Sequence, residues 1–202
     1  LLAFIAVLWL TEALHVTVTA LLVPLIAILL GLVTTKQALA AFSDPTIFLF
    51  FGGFALATAL HIQKLDKMIA NKIMALARGN LLRAVLYLFS ITAFLSMWMS
   101  NTATAAMMLP LAMGILSQMD KEKEHNTYIF VLLGIAYSAS IGGMGTLVGS
   151  PPNAIVASNL HLTFSDWLWY GLPVMIILMP LMLGTLFLVF KPKLNIRFEQ
   201  TF

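Results

Sequence analysis

The sequence predicts an all-α, polytopic membrane protein. Three observations carry the prediction: a high apolar share, charges confined to short connectors, and two long apolar stretches interrupted by polar and helix-breaking residues. Hydrophobic residues form 61% of the chain and charged residues 9%, against about 45–50% and about 25% in a soluble domain. Residues 13–35, 45–63, 84–119, 125–165 and 167–190 contain no Asp, Glu, Lys or Arg. Each stretch reaches or exceeds the roughly 18 apolar residues of a membrane span, so lipid is the expected solvent.

Several function classes fall away on composition. The net charge of +3 resides in short connectors, without a basic patch or interleaved aromatics, so no nucleic-acid partner is expected. Cysteine is absent, which removes disulfides, thiolate metal sites and a cysteine nucleophile. His15, His61, His125 and His161 share no metal-ligand spacing and read as interface anchors. No Ser has a recognisable His or carboxylate partner, so no enzyme is expected.

Taken in order, the run Leu1 to Leu10 is too short to cross roughly 30 Å of hydrocarbon, and the chain is expected to start inside a helix. Residues 13–33, Pro24 included, read as a spanning helix ended by Gly31 and Thr34-Thr35-Lys36. Ser43-Asp44-Pro45 is a helix-start signal, and residues 46–62 form a second span whose Gly52-Gly53 pair suits close packing. The connector 63–81 follows. From Lys64 to Arg78 its apolar residues recur at helical spacing with the charges opposite, which predicts an amphipathic helix lying in the interface. With Arg83 it holds five basic residues against Asp66, which assigns it to the cytoplasmic side.

Residues 84–119 pose a length problem, because 36 residues of straight helix would run about 54 Å, nearly twice the hydrocarbon core. A break at Ser100-Asn101-Thr102 leaves two arms of about 24 Å. The expectation is therefore a re-entrant helical hairpin over 82–119, its polar tip buried in protein or facing a watery cavity. Asp120 to His125 forms a solvated turn. Residues 126–160 are apolar again, but Gly142 to Asn153 interrupt them with Gly, Ser and two Pro. Proline lacks an N–H and glycine permits unusual backbone angles, so a discontinuous helix with free carbonyls and amides at its centre is expected. Asn159 to Asp166 makes an external connector, and 167–190 the final span, with Trp167 and Trp169 as interfacial belt residues. Lys191, Lys193 and Arg197 place the tail 191–202 in the cytoplasm.

Chemistry concentrates at the two interruptions. A sodium ion needs several oxygens, and side-chain oxygens with unwound carbonyls supply them without a buried carboxylate. Ser96, Ser100 and Asn101 are the candidate cation ligands, joined by the carbonyl of Gly149. The N–H groups opening the second hairpin arm favour an anion such as a carboxylate. Asn101 and Thr102 are the candidate anion contacts, with Ser150 facing the same substrate from the second break. The plainer alternative is that these groups only glue helices together and that Pro151-Pro152 only kinks one. Polar residues falling where length demands a break favour a site.

These residues resemble the divalent anion/sodium symporter family, which carries dicarboxylates, citrate or sulfate. Ser100-Asn101-Thr102 and Gly149-Ser150-Pro151-Pro152-Asn153, in this order and with Gly142-Gly143, are first-repeat signatures of that family, and the resemblance covers essentially the whole chain. It implies one half of a two-repeat inverted fold, with 1–62 as scaffold helices and about 82–190 as a mobile transport part. It also implies sodium at Ser96, Ser100, Asn101 and Gly149, and substrate carboxylates at Asn101, Thr102 and Ser150. A homodimer in the inner (plasma) membrane and elevator-like movement follow from the same resemblance. Each signature occurs once, so the chain is expected to be a fragment or excerpt that lacks the second repeat, its partner in the site. The expected function is secondary active transport: sodium coupled to uptake of a small divalent anion, a C4-dicarboxylate such as succinate, by alternating access. A membrane assembly or scaffold module that moves no solute is the alternative.

Overall fold

The computed structural model describes residues 1–43, 45–65, 68–69, 72, 76–77, 79–117, 119–120 and 123–195. Among these residues every regular element is a helix. Contacts divide the chain into two units, Leu1–Phe48 and Leu49–Phe202.

The first unit holds α1 (Leu2–Thr11), α2 (Val16–Leu29) and α3 (Thr35–Ala40), followed by a 3₁₀ turn over Ala41–Ser43. Helix α1 stops where Glu12 turns left-handed at φ 48°. His15 then caps α2, its Nδ1 accepting the Thr17 N–H at 3.3 Å. The apolar stretch 13–33 is thus helical over only 14 residues, about 21 Å, which is shorter than the hydrocarbon core. The His15 cap shortens it at one end and the left-handed Gly31, at φ 67°, at the other. Thr34 and Gln37 form a reciprocal capping box ahead of α3: Gln37 N donates to Thr34 Oγ1 at 3.3 Å and Thr34 N to Gln37 Oε1 at 3.0 Å.

Helix α4 (Pro45–Ile62) opens with proline at its first position, where the missing N–H costs no helical hydrogen bond. Of its glycine pair only Gly53 makes a close approach. A methyl there would sit 3.3 Å from the Val148 side chain, whereas Gly52 faces open space. The interfacial helix expected over 63–81 lies largely outside the described residues, as do residues 196–202 of the tail.

Five helices follow: α5 (Leu81–Ser96), α6 (Asn101–Leu116), α7 (His125–Gly143), α8 (Pro151–Asn159) and α9 (Phe164–Phe190). Helix α7 is central and packs against α5, α6 and α9. Leu88, Phe89, Met108, Ile115, Phe130 and Val131 are fully buried between these helices. The α5–α7 crossing is close because α7 presents Gly134, Ser138 and Gly142 at four-residue spacing on one face. A methyl at Gly134 would lie 1.9 Å from the Phe89 ring, and one at Gly142 would lie 2.2 Å from the Ala93 carbonyl.

Among the described helices α7 and α9 are long and apolar enough to cross a membrane, and they are buried to different degrees. The apolar window of α7 is 56% buried and that of α9 is 6% buried, so α7 is a core helix and α9 presents its side chains outward. Helix α9 is nevertheless fastened at both ends. Near its start Trp167 Nε1 donates to the Met144 carbonyl at 3.0 Å, a role beyond the interfacial belt expected of it. Past its end Lys193 N donates to Thr127 Oγ1, and Lys193 Nζ to Glu124, both at 3.0 Å. It begins three residues earlier than expected because Thr163 and Asp166 form a capping box.

Candidate functional site

The first break spans Met97–Ser100, between two 16-residue helices that pack against each other. Each arm is about 24 Å long. The break lies slightly ahead of the Ser100-Asn101-Thr102 position expected from the sequence, and the reason is local. Ser100 is extended at ψ 142° and its Oγ accepts the Ala103 N–H at 3.3 Å, so it serves as an N-cap. Asn101 and Thr102 therefore sit in the first turn of α6, with their main-chain N–H groups at the positive end of that helix.

The second break spans Met144–Ser150 and is buried except for Met144, which is exposed, and Ser150, which is half-buried. Most of its polar groups are tied off. Gly145 N donates to the Gly142 carbonyl at 2.9 Å, and the Asn153 amide donates to the carbonyls of Gly143 and Thr146, both at 2.8 Å. Thr146 Oγ1 accepts the Gly149 N–H at 3.1 Å and donates to the Met97 carbonyl in the first break. The Gly149 carbonyl receives no hydrogen bond from the described residues.

Oxygens from both breaks converge at one place. Ser96 Oγ, fully buried, lies 2.7 Å from Asn101 Oδ1 and 2.7 Å from the Ala139 carbonyl. A serine has one proton, so it satisfies only one of those two acceptors at a time. On the other side, a methyl placed on Gly143 would sit 2.3 Å from Asn101 Oδ1 and 3.1 Å from the Gly149 carbonyl. Glycine at 143 thus keeps open a small cradle edged by oxygens from Asn101 and Gly149. Among the described residues no group of three His, Cys, Asp or Glu side chains comes together. The cradle is therefore neutral and oxygen-rich, short of protons, and suited to a cation that brings its own charge.

Asn101 also borders a second space. An open cavity of about 570 Å³ runs along α6 and α7, lined by Asn101, Thr102, Ala105, Ala106, Ile135 and Ser140 among others. Its polar lining is Asn101 and Thr102 at the start of α6 and Ser140 of α7, and the rest of its wall is apolar.

Of the residues singled out from the sequence, Ser96 and Asn101 are in contact, and Gly149 reaches the same cradle. Ser100 precedes Asn101 directly and serves as the helix cap, its hydroxyl accepting the Ala103 N–H. Thr102 is exposed and faces the cavity. Ser150 precedes Pro151-Pro152 at the start of α8, half-buried, and its hydroxyl caps nothing. Sequence reasoning missed the Ala139 carbonyl, Thr146, Asn153 and Ser140. Only Asn153 left a signal: it follows two prolines that have no N–H to give, so its side chain is the nearest source of donors for the loop before it.

With this geometry in place, comparison with known proteins is informative. Residues 6–201 match the citrate transporter family. The chain belongs to that family. It is a family of transporters and not of enzymes. An uncharacterized transporter of Haemophilus influenzae is 85% identical over 202 residues, 100% of this chain and 44% of the relative. An uncharacterized transporter of Methanocaldococcus jannaschii is 42% identical over 196 residues, 95% of this chain and 44% of the relative. The sodium-dependent dicarboxylate transporter SdcS of Staphylococcus aureus is 33% identical over 191 residues, covering 87% of this chain and 36% of the relative. The chain thus spans less than half the length of these curated relatives.

Proposed function

We propose that this chain is the first-repeat half of a secondary active transporter that couples sodium to uptake of a small divalent anion. The observation that carries the reading is the cradle itself. Neutral oxygens of Ser96 and Gly149 lie to either side of Asn101, and Asn101 also lines a cavity whose polar end includes the N-terminus of α6. In this reading sodium is held by Asn101 Oδ1, the Gly149 carbonyl and Ser96, with Ser100 beside them. The carboxylate of the substrate meets Thr102, the amide groups of Asn101 and the hydroxyl of Ser150.

Coupling follows from charge. A dianion placed against neutral groups in a low-dielectric setting is poorly stabilised. A sodium ion one side chain away, sharing Asn101, supplies the missing positive charge. The half-site has no titratable side chain among its described members, which favours a metal cation over a proton as the coupling ion. A C4-dicarboxylate such as succinate is the proposed substrate, supported by the dicarboxylate relative.

The remaining architecture is part of the same proposal. Arms of about 24 Å fit a re-entrant hairpin whose tip stops inside the bilayer. A second, inverted repeat completes the substrate site, and the complete protein works as a homodimer in the inner membrane. The α5–α9 region shifts in an elevator-like manner to give alternating access.

The test is uptake of labelled succinate by liposomes containing the complete native protein. An inward sodium gradient is expected to drive accumulation, and equimolar potassium is expected to give none. Equal uptake in the two salts contradicts sodium coupling. No uptake of any dicarboxylate, citrate or sulfate returns the protein to a scaffold role.

A further inference from the structure

We infer that Asn153 and Thr146 are positioning residues for the sodium cradle: they hold the second break in the one arrangement that leaves the Gly149 carbonyl free. The inference rests on the sodium reading given above. Neither residue touches the proposed ion or substrate.

The starting point is where helix α7 ends. Its last carbonyls have no partner within the helix and must find donors elsewhere, and in a membrane interior water is not there to supply them. Ordinarily the N–H groups opening the next helix would be close at hand. Here α8 opens with Pro151 and Pro152, which have none. The Asn153 main-chain N–H is already used by the Ser150 carbonyl at 3.1 Å. The Asn153 side chain, buried at 8% exposure, supplies two N–H groups, and both go to the loop: 2.8 Å to Gly143 O and 2.8 Å to Thr146 O. Both partners are carbonyls and only accept, so the amide has one possible orientation.

Thr146 carries the restraint across to the other break. Its hydroxyl donates to the Met97 carbonyl and accepts the Gly149 N–H, so one side chain joins the tip of the α5–α6 hairpin to the residue whose carbonyl edges the cradle. The Gly149 N–H held on Thr146 fixes the Val148–Gly149 peptide, one α-carbon away from the peptide that carries the Gly149 carbonyl. The carbonyls of Gly143 and Thr146 are held in place by the Asn153 amide on either side of the turn. Gly149 itself has no room to drift, since a methyl on it would lie 2.5 Å from the Gly143 carbonyl.

Losing the Asn153 amide releases the two carbonyls of Gly143 and Thr146 and loosens the loop between them and Gly149. The effect belongs to the ion more than to the substrate, because, of the proposed carboxylate contacts, only Ser150 lies in this loop, whereas Asn101 and Thr102, which line the cavity, do not.

The experiment is a sodium titration of succinate uptake by the complete native protein at saturating succinate. Asn153→Ala is expected to raise the half-saturating sodium concentration by about 10- to 100-fold, the usual range for groups that orient metal ligands. At saturating sodium the half-saturating succinate concentration stays within about twofold of wild type. Thr146→Val shifts the sodium dependence in the same direction, and Thr146→Ser, which keeps the hydroxyl, restores it. If Asn153→Ala yields too little protein, the Thr146→Val and Thr146→Ser pair decides the matter. An unchanged sodium dependence with only a lower maximal rate overturns the inference, because that is what a purely structural role gives. Asn101→Ala serves as the control. If it shifts sodium dependence while Asn153→Ala does not, the positioning role fails alone. If neither variant shifts it, the cradle is not the sodium site.

Discussion

The two breaks that face each other across the cradle are built on opposite plans. The first, Met97–Ser100, is short and includes the exposed Trp98 and Ser100, and what it gives the site comes from flanking side chains, Ser96 and Asn101. The second, Met144–Ser150, is longer and mostly buried, and what it gives is a main-chain carbonyl. A side-chain ligand needs only a rotamer held in place. A carbonyl ligand needs its stretch of main chain held in one conformation, and at the second break the Thr146 hydroxyl, the Asn153 amide and the close approach of Gly143 and Gly149 hold it. The difference teaches where each break is vulnerable: the first to loss of a polar group, the second to gain of a methyl.

Two adjacent glycines separate the two kinds of damage. Gly143→Ala puts a methyl into the cradle, and sodium-stimulated uptake is expected to weaken by about 100-fold, the upper end for disturbing the surroundings of a metal site, with the protein still folded. Gly142→Ala instead drives a methyl onto the Ala93 main chain. It is expected to lower thermal stability by about 1–3 kcal/mol, read as a lower melting temperature and yield, with no selective change in sodium dependence among the molecules that fold. If the two variants behave alike, the distinction between cradle and helix crossing is wrong.

Smaller effects sharpen it further. Trp167→Phe removes the donor to Met144 O and is expected to cost about 1 kcal/mol of thermal stability, with sodium dependence kept. Lys193→Ala breaks an ion pair whose lysine is largely exposed. The expected loss is below about 1 kcal/mol and smaller at high salt, a difference checked by melting curves at two ionic strengths.

The legible part of this molecule was set by length and by breakers. An apolar stretch of 36 residues cannot be one helix in a bilayer, and polar residues near its middle mark the break. Pro151-Pro152 with flanking glycines announces the second break in the same way. The exact end of the first break was not legible, because Ser100 acts as an N-cap and draws Asn101 and Thr102 into the helix. The ends of α2 were hidden for a similar reason, since His15 is not among the residues that usually cap. Least legible were the contacts that shape the cradle. Ser96 meets the Ala139 carbonyl across 43 residues and Thr146 meets the Met97 carbonyl across 49. A carbonyl belongs to every residue, so no side-chain pattern announces which one is used. The start of α9 was legible and overlooked: Thr163 and Asp166 stand at capping-box spacing.

Sodium binding by Asn101 and its neighbours is read most directly from the thermal stability of the purified complete protein against sodium concentration. An ion that binds only the folded state stabilises it by an amount that grows with the logarithm of its concentration above the dissociation constant, and so raises the melting temperature. Sodium is expected to stabilise the wild type while potassium does not, and Asn101→Ala is expected to need about tenfold more sodium for the same stabilisation. Identical sodium titrations for the wild type and Asn101→Ala would contradict the account.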